Sequence, residues 1–322
     1  MYLRRHLLWV VACFWCVPVY SQLREESPVG PATISTQRWR FGVVLVSSGG
    51  ALHSLTATVT VPMDWPDQRV RVVEEDLSPG VKYSFQAIGD LGRQMVVKVP
   101  HLSAGSEARA VLTFEVKRVC QPPPQSTEGF VVPDPKKLDR KLAPFLAPSP
   151  YIESNSTQVK TAAGQIVAGK ERAWERVKAI YDWVQEKVKY EDNQGKRVLS
   201  AVEAMQSGKG DCDEITSLFV ALCRAAGIPA RTVRVPRHVY PEFYLLDDQG
   251  QGRWFPCQSA GTPSFGYMPD LRPILQRGDN VLLPDPRTKK RTRYRYFPEN
   301  VTGFPVGAGG AVQHKLVCEM EK

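Results

Sequence analysis

From Arg38 to about Val119, short runs alternate apolar and polar residues, as in Thr56-Ala57-Thr58-Val59-Thr60-Val61 and Gln94-Met95-Val96-Val97-Lys98-Val99. A period of two turns one side of each run toward a core and the other toward water. Gly49-Gly50, Pro79-Gly80 and Gly105 mark turns between the runs. The rhythm predicts an antiparallel β-domain, a sandwich, over residues 38–120. Pro122-Pro123-Pro124 and Gln125-Ser126-Thr127-Glu128-Gly129 then break every period, which predicts a Pro-rich linker over 121–135.

Beyond about Tyr151 the period lengthens. Trp174, Val177, Tyr181, Val184 and Val188 recur at spacings of three and four, one apolar stripe on a helix over Glu171 to Val188. A second helical stretch covers Ser200–Gln206. Ser207-Gly208-Lys209-Gly210-Asp211 leads into a third, where Asp211 and Glu214 fit a capping box and Gly227 with Pro229 supplies the stop. Cys212 is then the first residue inside a helix running to about Ala226. Three strands follow, Arg231–Val235, His238–Leu246 and Arg253–Gln258, the last two joined by the hairpin loop Asp247-Asp248-Gln249-Gly250-Gln251-Gly252. Helices before antiparallel strands predict an α+β second domain over 136–322, ending in a basic extension.

Composition narrows the class. Among 322 residues, 43% are hydrophobic and 23% charged, which excludes fibrous, disulfide-stapled and fully disordered chains. At the N-terminus, Arg4, Arg5 and His6 precede the apolar run Leu7–Tyr20, and Val19 and Ser21 are small enough for a signal-peptidase site. This predicts a signal peptide over 1–21 and a linker over 22–37. The run spans 14 residues, against the ~20 needed to cross a bilayer. An uncleaved anchor, or a lipobox at Val10-Val11-Ala12-Cys13, are the competing readings. Cleavage would take Arg4 and Arg5 away and lower the net charge from +9 to +7. The expected protein is secreted or periplasmic, at the cell envelope, with no stable transmembrane segment after cleavage.

Export changes what the cysteines mean. Cys13 and Cys16 leave with the signal, and Cys120, Cys212, Cys223, Cys257 and Cys318 remain. An odd number leaves at least one thiol unpaired in an oxidising compartment, a candidate nucleophile. The mature chain has no CxxC and no clustered His/Cys set, so neither a metal nor an organic cofactor is called for. Cys212 stands out by position. A helix N-terminus favours the thiolate and can bring a thiol pKa from about 8.5 down to roughly 3.5–7.5. Cys223, within Leu218-Phe219-Val220-Ala221-Leu222-Cys223, reads as structural.

A cysteine nucleophile needs a base. His53 and His101 fall in the β-domain and His314 in a Gly-rich tail. His238 opens a strand 26 positions after Cys212, close enough for a helix and one short strand to bring it over the helix N-terminus. The run Arg287-Thr288-Lys289-Lys290-Arg291-Thr292-Arg293-Tyr294-Arg295 holds six basic residues. A nucleic-acid patch competes there with a solvated edge strand protected by charge. In an exported protein the edge strand is favoured, no nucleic acid is expected, and an anionic envelope polymer is the remaining partner for the run.

Gly208-Lys209-Gly210-Asp211-Cys212, the helix Leu218 to Ala226 with Gly227-Ile228-Pro229-Ala230-Arg231, and His238-Val239-Tyr240-Pro241-Glu242-Phe243-Tyr244 together resemble the core of the transglutaminase-like superfamily. Ile180-Tyr181-Asp182-Trp183-Val184 is similar to that family's preceding helix, so the resemblance covers about residues 140–260. It implies a papain-like α+β fold whose Cys–His–Asp triad forms a thioacyl intermediate on an amide carbonyl. Cys212 matches the nucleophile and His238 the base. The third position departs: the family's Trp is followed four residues later by Asp, and here Trp254 is followed by Gln258. An amide accepts a hydrogen bond from the imidazole N–H but cannot stabilise its charge as a carboxylate does. Placing His238 opposite Gln258 would centre the hairpin turn on Asp248, while the polar loop centres nearer Gln249 and Gly250. An adjustment of one or two residues, or a bulge, is therefore expected.

The expected function is acyl transfer from protein or peptide amides, with water or an amine as acceptor. A catalytically inactive binding or structural module of the envelope is the alternative, motivated by Gln258.

Overall fold

The computed structural model describes residues 32–192, 195, 197–285, 288–307 and 309–321. The signal peptide over 1–21, with both competing readings of it, lies outside these residues.

In chain order, six strands come first: β1 (Thr33–Ser48), β2 (Leu52–Val61), β3 (Gln68–Leu77), β4 (Lys82–Ala87), β5 (Arg93–Leu102) and β6 (Glu107–Cys120). Helices dominate next: α1 (Thr157–Val167), α2 (Ala173–Lys187), β7 (Lys189–Tyr190), α3 (Ala201–Ser207), β8 (Lys209–Gly210) and α4 (Cys212–Ala225). The remaining strands are β9 (Ala230–Val235), β10 (His238–Leu246), β11 (Gly252–Gln258), β12 (Ser264–Phe265), β13 (Gln276–Arg277), β14 (Val281–Pro284), β15 (Arg291–Tyr294), β16 (Val301–Pro305) and β17 (Ala311–Met320).

Two four-stranded sheets, in orders β17-β1-β6-β3 and β16-β2-β5-β4, share one core. Trp39, Phe41, Val43 and Leu45 alternate inward from β1 against Leu55, Ala57 and Val59 of β2 and Met95 and Val97 of β5, as the period of two requires. This sandwich reaches beyond the span expected for it in both directions. β1 starts at Thr33, inside the stretch expected as linker. The chain's end also returns to it: β17 pairs with β1 from Trp39 opposite Met320 to Ser48 opposite Ala311, and β16 pairs with β2. Residues 301–320 are therefore no extension of the second unit. They cover the free N–H and C=O groups that β1 and β2 would otherwise present as edges. His314 accordingly sits in β17 opposite Leu45 rather than in a tail.

The second unit is built around α4, whose residues Glu214 through Arg224 are all buried, as expected of a helix surrounded on every side. It packs against α1, α2, α3 and the sheet β12-β11-β10-β9-β13. The second unit also starts inside the expected linker. Phe130 is buried in the helical core, 5.7 Å from the ring of Trp174, and Val131 bridges to Leu246. Arg224 lies wholly within this core. Its Nη2 donates to both carboxylate oxygens of Asp279 at 2.8 Å, and neither side chain is exposed at all.

No helix among the described residues is long and apolar enough to cross a membrane.

Candidate active site

The loop before α4 is shaped by its glycines. Gly208 ends α3 in the left-handed region at φ +66°, where a side chain is disfavoured. At Gly210 a Cβ would stand 2.5 Å from Glu214 Cβ, so only glycine lets the loop pass this close to the helix. Asp211 then caps the helix. Its carboxylate accepts from Asp213 N–H at 2.7 Å, and Glu214 accepts in return from Asp211 N–H at 2.9 Å, the reciprocal box expected from the sequence. Cys212 is thereby the first residue of α4, with the exposed N–H groups of the helix end around it.

His238 opens β10 directly after the two-residue turn Pro236-Arg237, in which Arg237 takes φ +58°. Gln258 closes β11. The hairpin register runs from Glu242 opposite Pro256 to Leu246 opposite Gly252, so the turn centres on Gln249. The offset from a direct His238–Gln258 pairing is two residues, which keeps both side chains on one face as diagonal neighbours. His238 Nε2 and Gln258 Oε1 are 2.8 Å apart. Because Oε1 only accepts, Nε2 carries the proton and Nδ1 is left as the basic nitrogen. Cys212 and His238 line the same cavity, of about 350 Å³, together with Asp211, Asp213, Arg237 and Tyr296. The structure thus brings together all three residues singled out from the sequence.

Hydrogen bonds hold these strands on the helices. Tyr181 of α2 donates to the main-chain oxygen of Gln258 at 2.8 Å, and Thr216 of α4 donates to that of Val239 at 3.2 Å. Tyr181 read from the sequence only as part of an apolar stripe.

Electrostatics depart from the sequence reading. The Cys212 thiol is pushed up to about 12, first by burial, then by Asp213, with Asp211 adding to it, while a Val239 main-chain hydrogen bond and Arg295 oppose the rise. The thiol of the free protein therefore lies above its ordinary value, not below it as expected: burial, and after it the charges of Asp213 and Asp211, push it up. Burial also lowers the His238 pKa, against the opposing pull of the Gln258 hydrogen bond, and Arg272 lowers it further. Both shifts favour the uncharged forms, the thiol of Cys212 and the neutral imidazole of His238.

The basic run separates into two parts. Arg291 and Arg293 on β15 are exposed, whereas Arg295 is buried against Asp213. Asp213, Arg295 and Tyr296 are the contributors the sequence reading missed. A larger cavity, about 390 Å³, lies between the sandwich and the sheet and is lined by Asp67, Arg118, Tyr240, Glu242 and Arg277. Neither Cys212 nor His238 reaches it, so size does not locate the candidate chemistry.

Comparison with known proteins agrees with this architecture. Residues 160–259 match the family model of the transglutaminase-like superfamily. A solved structure of a candidate cysteine protease from Cytophaga hutchinsonii aligns over 90% of this chain and 93% of its own, at TM-score 0.57 and 17% identity. That likeness spans both units and concerns the fold. A candidate protease from Parabacteroides distasonis aligns over 68% of this chain and 47% of its own, with TM-score 0.29 and 15% identity. The periplasmic domain of TgpA from Pseudomonas aeruginosa, bound to ethylmercury, aligns over 68% and 89%, with TM-score 0.33 and 11% identity. No curated protein sequence matches the chain. The fold is α+β, and its second unit holds a transglutaminase-like domain over residues 160–259.

Proposed function

We propose that the protein is an exported, cysteine-dependent enzyme acting on amide or peptide bonds through a thioacyl intermediate. The observation that carries this reading is the 2.8 Å contact of His238 Nε2 with Gln258 Oε1, which leaves Nδ1 basic in the cavity shared with Cys212. In the first step Cys212 passes its proton to His238 Nδ1 and the sulfur attacks the amide carbonyl. Cys212 N–H, at the start of α4, faces the developing oxyanion. The imidazolium then protonates the leaving amine, and a thioester remains on Cys212. Water or an amine, deprotonated by His238, attacks the thioester and restores the thiol. Gln258 fixes the imidazole tautomer throughout, the work that asparagine does in papain-like proteases. Removal of the N-terminal signal would place the enzyme outside the cytoplasm or at the envelope, where proteins, peptides or an envelope polymer carry the substrate amides.

The test is to incubate the protein with a mixture of peptide amides and hydroxylamine and to identify the peptide hydroxamate that cleavage of the thioester releases. Hydroxamate release that disappears in Cys212→Ser supports the reading, and release unaffected by that substitution overturns it. The second reading, a non-catalytic module, is favoured by the burial and the neighbouring carboxylates that push the Cys212 thiol up to about 12, and predicts no release at all.

A further inference from the structure

Arg295 ends the most basic run of the sequence, yet its side chain is only 4% exposed. Its Nη2 donates to the main-chain oxygen of Asp213 at 2.9 Å and stands 3.2 Å from Asp213 Oδ1. Tyr296 Oη donates to the same carboxylate oxygen. Nε and Nη1 of Arg295 are buried without a partner. Burying a guanidinium with two nitrogens unpaired is costly, and a solubility role would have left this cation in water with Arg291 and Arg293. What its burial achieves is contact with the residue that follows Cys212.

That residue matters because the oxygens of Asp211 and Asp213 and the sulfur of Cys212 lie within 4.8 Å of one another. Two carboxylates this close disfavour a thiolate between them. The other groups around the sulfur come from four further elements. His238 belongs to β10, Arg234 to β9 and Arg237 to the turn between them, and Tyr296 follows Arg295. Tyr190 of β7 is close enough that a charge on the sulfur would, after burial, help to raise its pKa. Arg234 already pairs with Glu299 at 3.6 Å and stacks on Tyr296. Arg295 is the cation that touches Asp213 directly.

We propose that Arg295, supported by Tyr296, is a positioning residue for Cys212: it fixes the Asp213 carboxylate and neutralises its charge, so that the thiolate can form beside it. The clamp comes from beyond residue 259, where the family match ends, so the C-terminal segment completes the site. The inference rests on the acyl-transfer reading only in calling Cys212 a nucleophile. Its test reads thiol ionisation directly and needs no substrate.

The experiment measures iodoacetamide alkylation of Cys212 across pH, by peptide mapping, with the buried Cys223 as internal reference for unfolding. In Arg295→Met the rate at pH 8 should fall about tenfold, corresponding to a thiol midpoint raised by about one unit. Adding Asp213→Asn to that variant should restore the rate to within about threefold of the parent, because the charge that Arg295 neutralised is gone. Arg295→Lys, which keeps a cation, should retain most of the rate. If Arg295→Met exposes Cys223, Arg295→Lys and Asp213→Asn alone carry the test. Asp213→Asn must then raise the rate, and Arg295→Lys must hold it. An unchanged rate in Arg295→Met, or a double variant no faster than that single one, overturns the proposal. Absence of hydroxamate release from the parent protein would instead overturn the acyl-transfer reading and leave this series interpretable.

Discussion

His238 Nε2 lies 2.8 Å from Gln258 Oε1 although the two residues are diagonal, not opposite, across the β10–β11 hairpin. The amide therefore reaches the imidazole along the strand, and its length is used. Gln258→Glu would keep that length and replace the acceptor by a carboxylate, which favours the imidazolium formed during acyl transfer. We expect Gln258→Glu to preserve or raise turnover, and Gln258→Ala to lower it by about tenfold or more, a part of the roughly 10²–10⁴-fold that general acid–base catalysis supplies. Cys212 alkylation should change less than turnover in Gln258→Ala, because α4 is untouched. A change of less than about threefold in both variants would make Gln258 a bystander.

The state of the thiol gives a second prediction. With Cys212 held up to about 12 by burial and by the neighbouring carboxylates, its alkylation rate should keep climbing from about pH 6 to about pH 10. A plateau below neutrality would show a preformed thiolate and contradict the electrostatics of the free protein. Cys212, half-buried, should still react ahead of Cys223, which has no exposed surface.

Much of this site was legible in the sequence, for local reasons. Asp211, Glu214 and the two glycines act within one helical turn, so the start of α4 followed from spacing. The polar loop likewise pointed to the hairpin's true centre, and an offset of two residues preserves the face. What escaped were contacts between distant segments. β17 buries little, with most of its residues exposed, so no alternation announced it. In α1 only Val159 and Ala163 are buried, too weak a stripe to signal a helix. Arg295 stood in a run of exposed basic residues, and only the fold brings it to Asp213. The charges beside Cys212 were visible in Asp211-Cys212-Asp213 itself, but spacing alone does not weigh them against the helix dipole.

The buried pair Arg224–Asp279 predicts a stability effect separate from the site. Asp279 also accepts from the main-chain N–H of Thr232 at 3.1 Å, so it ties α4, β9 and the segment after β13 together. Asp279→Asn or Arg224→Met leaves one charge buried without its partner and should cost about 3–5 kcal/mol. Combining Asp279→Asn with Arg224→Met in one protein should cost less than the two single changes added together. Urea unfolding of the four proteins checks this, and strictly additive losses would refute the coupling.

The cap at Cys212 should also make stability depend on pH with an unusual sign. Burial, and then the hydrogen bond with Glu214, raise the Asp211 carboxyl to about 7. Burial also pushes Glu214 upward, but the hydrogen bonds it accepts from Asp211 and from the main-chain N–H of Leu199 outweigh that and bring it below its ordinary value. An unfolded aspartate ionises near 3.9, about three units lower than folded Asp211. Between those two values the folded protein holds a proton that the unfolded chain has released, so raising the pH through this window removes stability. The stabilisation is complete below about pH 4 and gone above about pH 7. Asp211→Asn keeps an oxygen to accept from Asp213 N–H but cannot ionise. We therefore expect its melting temperature to lose the decline between about pH 4 and pH 7, and to exceed that of the parent at about pH 8. Above neutrality the same substitution removes a negative charge beside the sulfur, so Cys212 should alkylate faster as well. Melting curves of the two proteins that run parallel across the window would place the Asp211 proton elsewhere and remove this source of pH dependence.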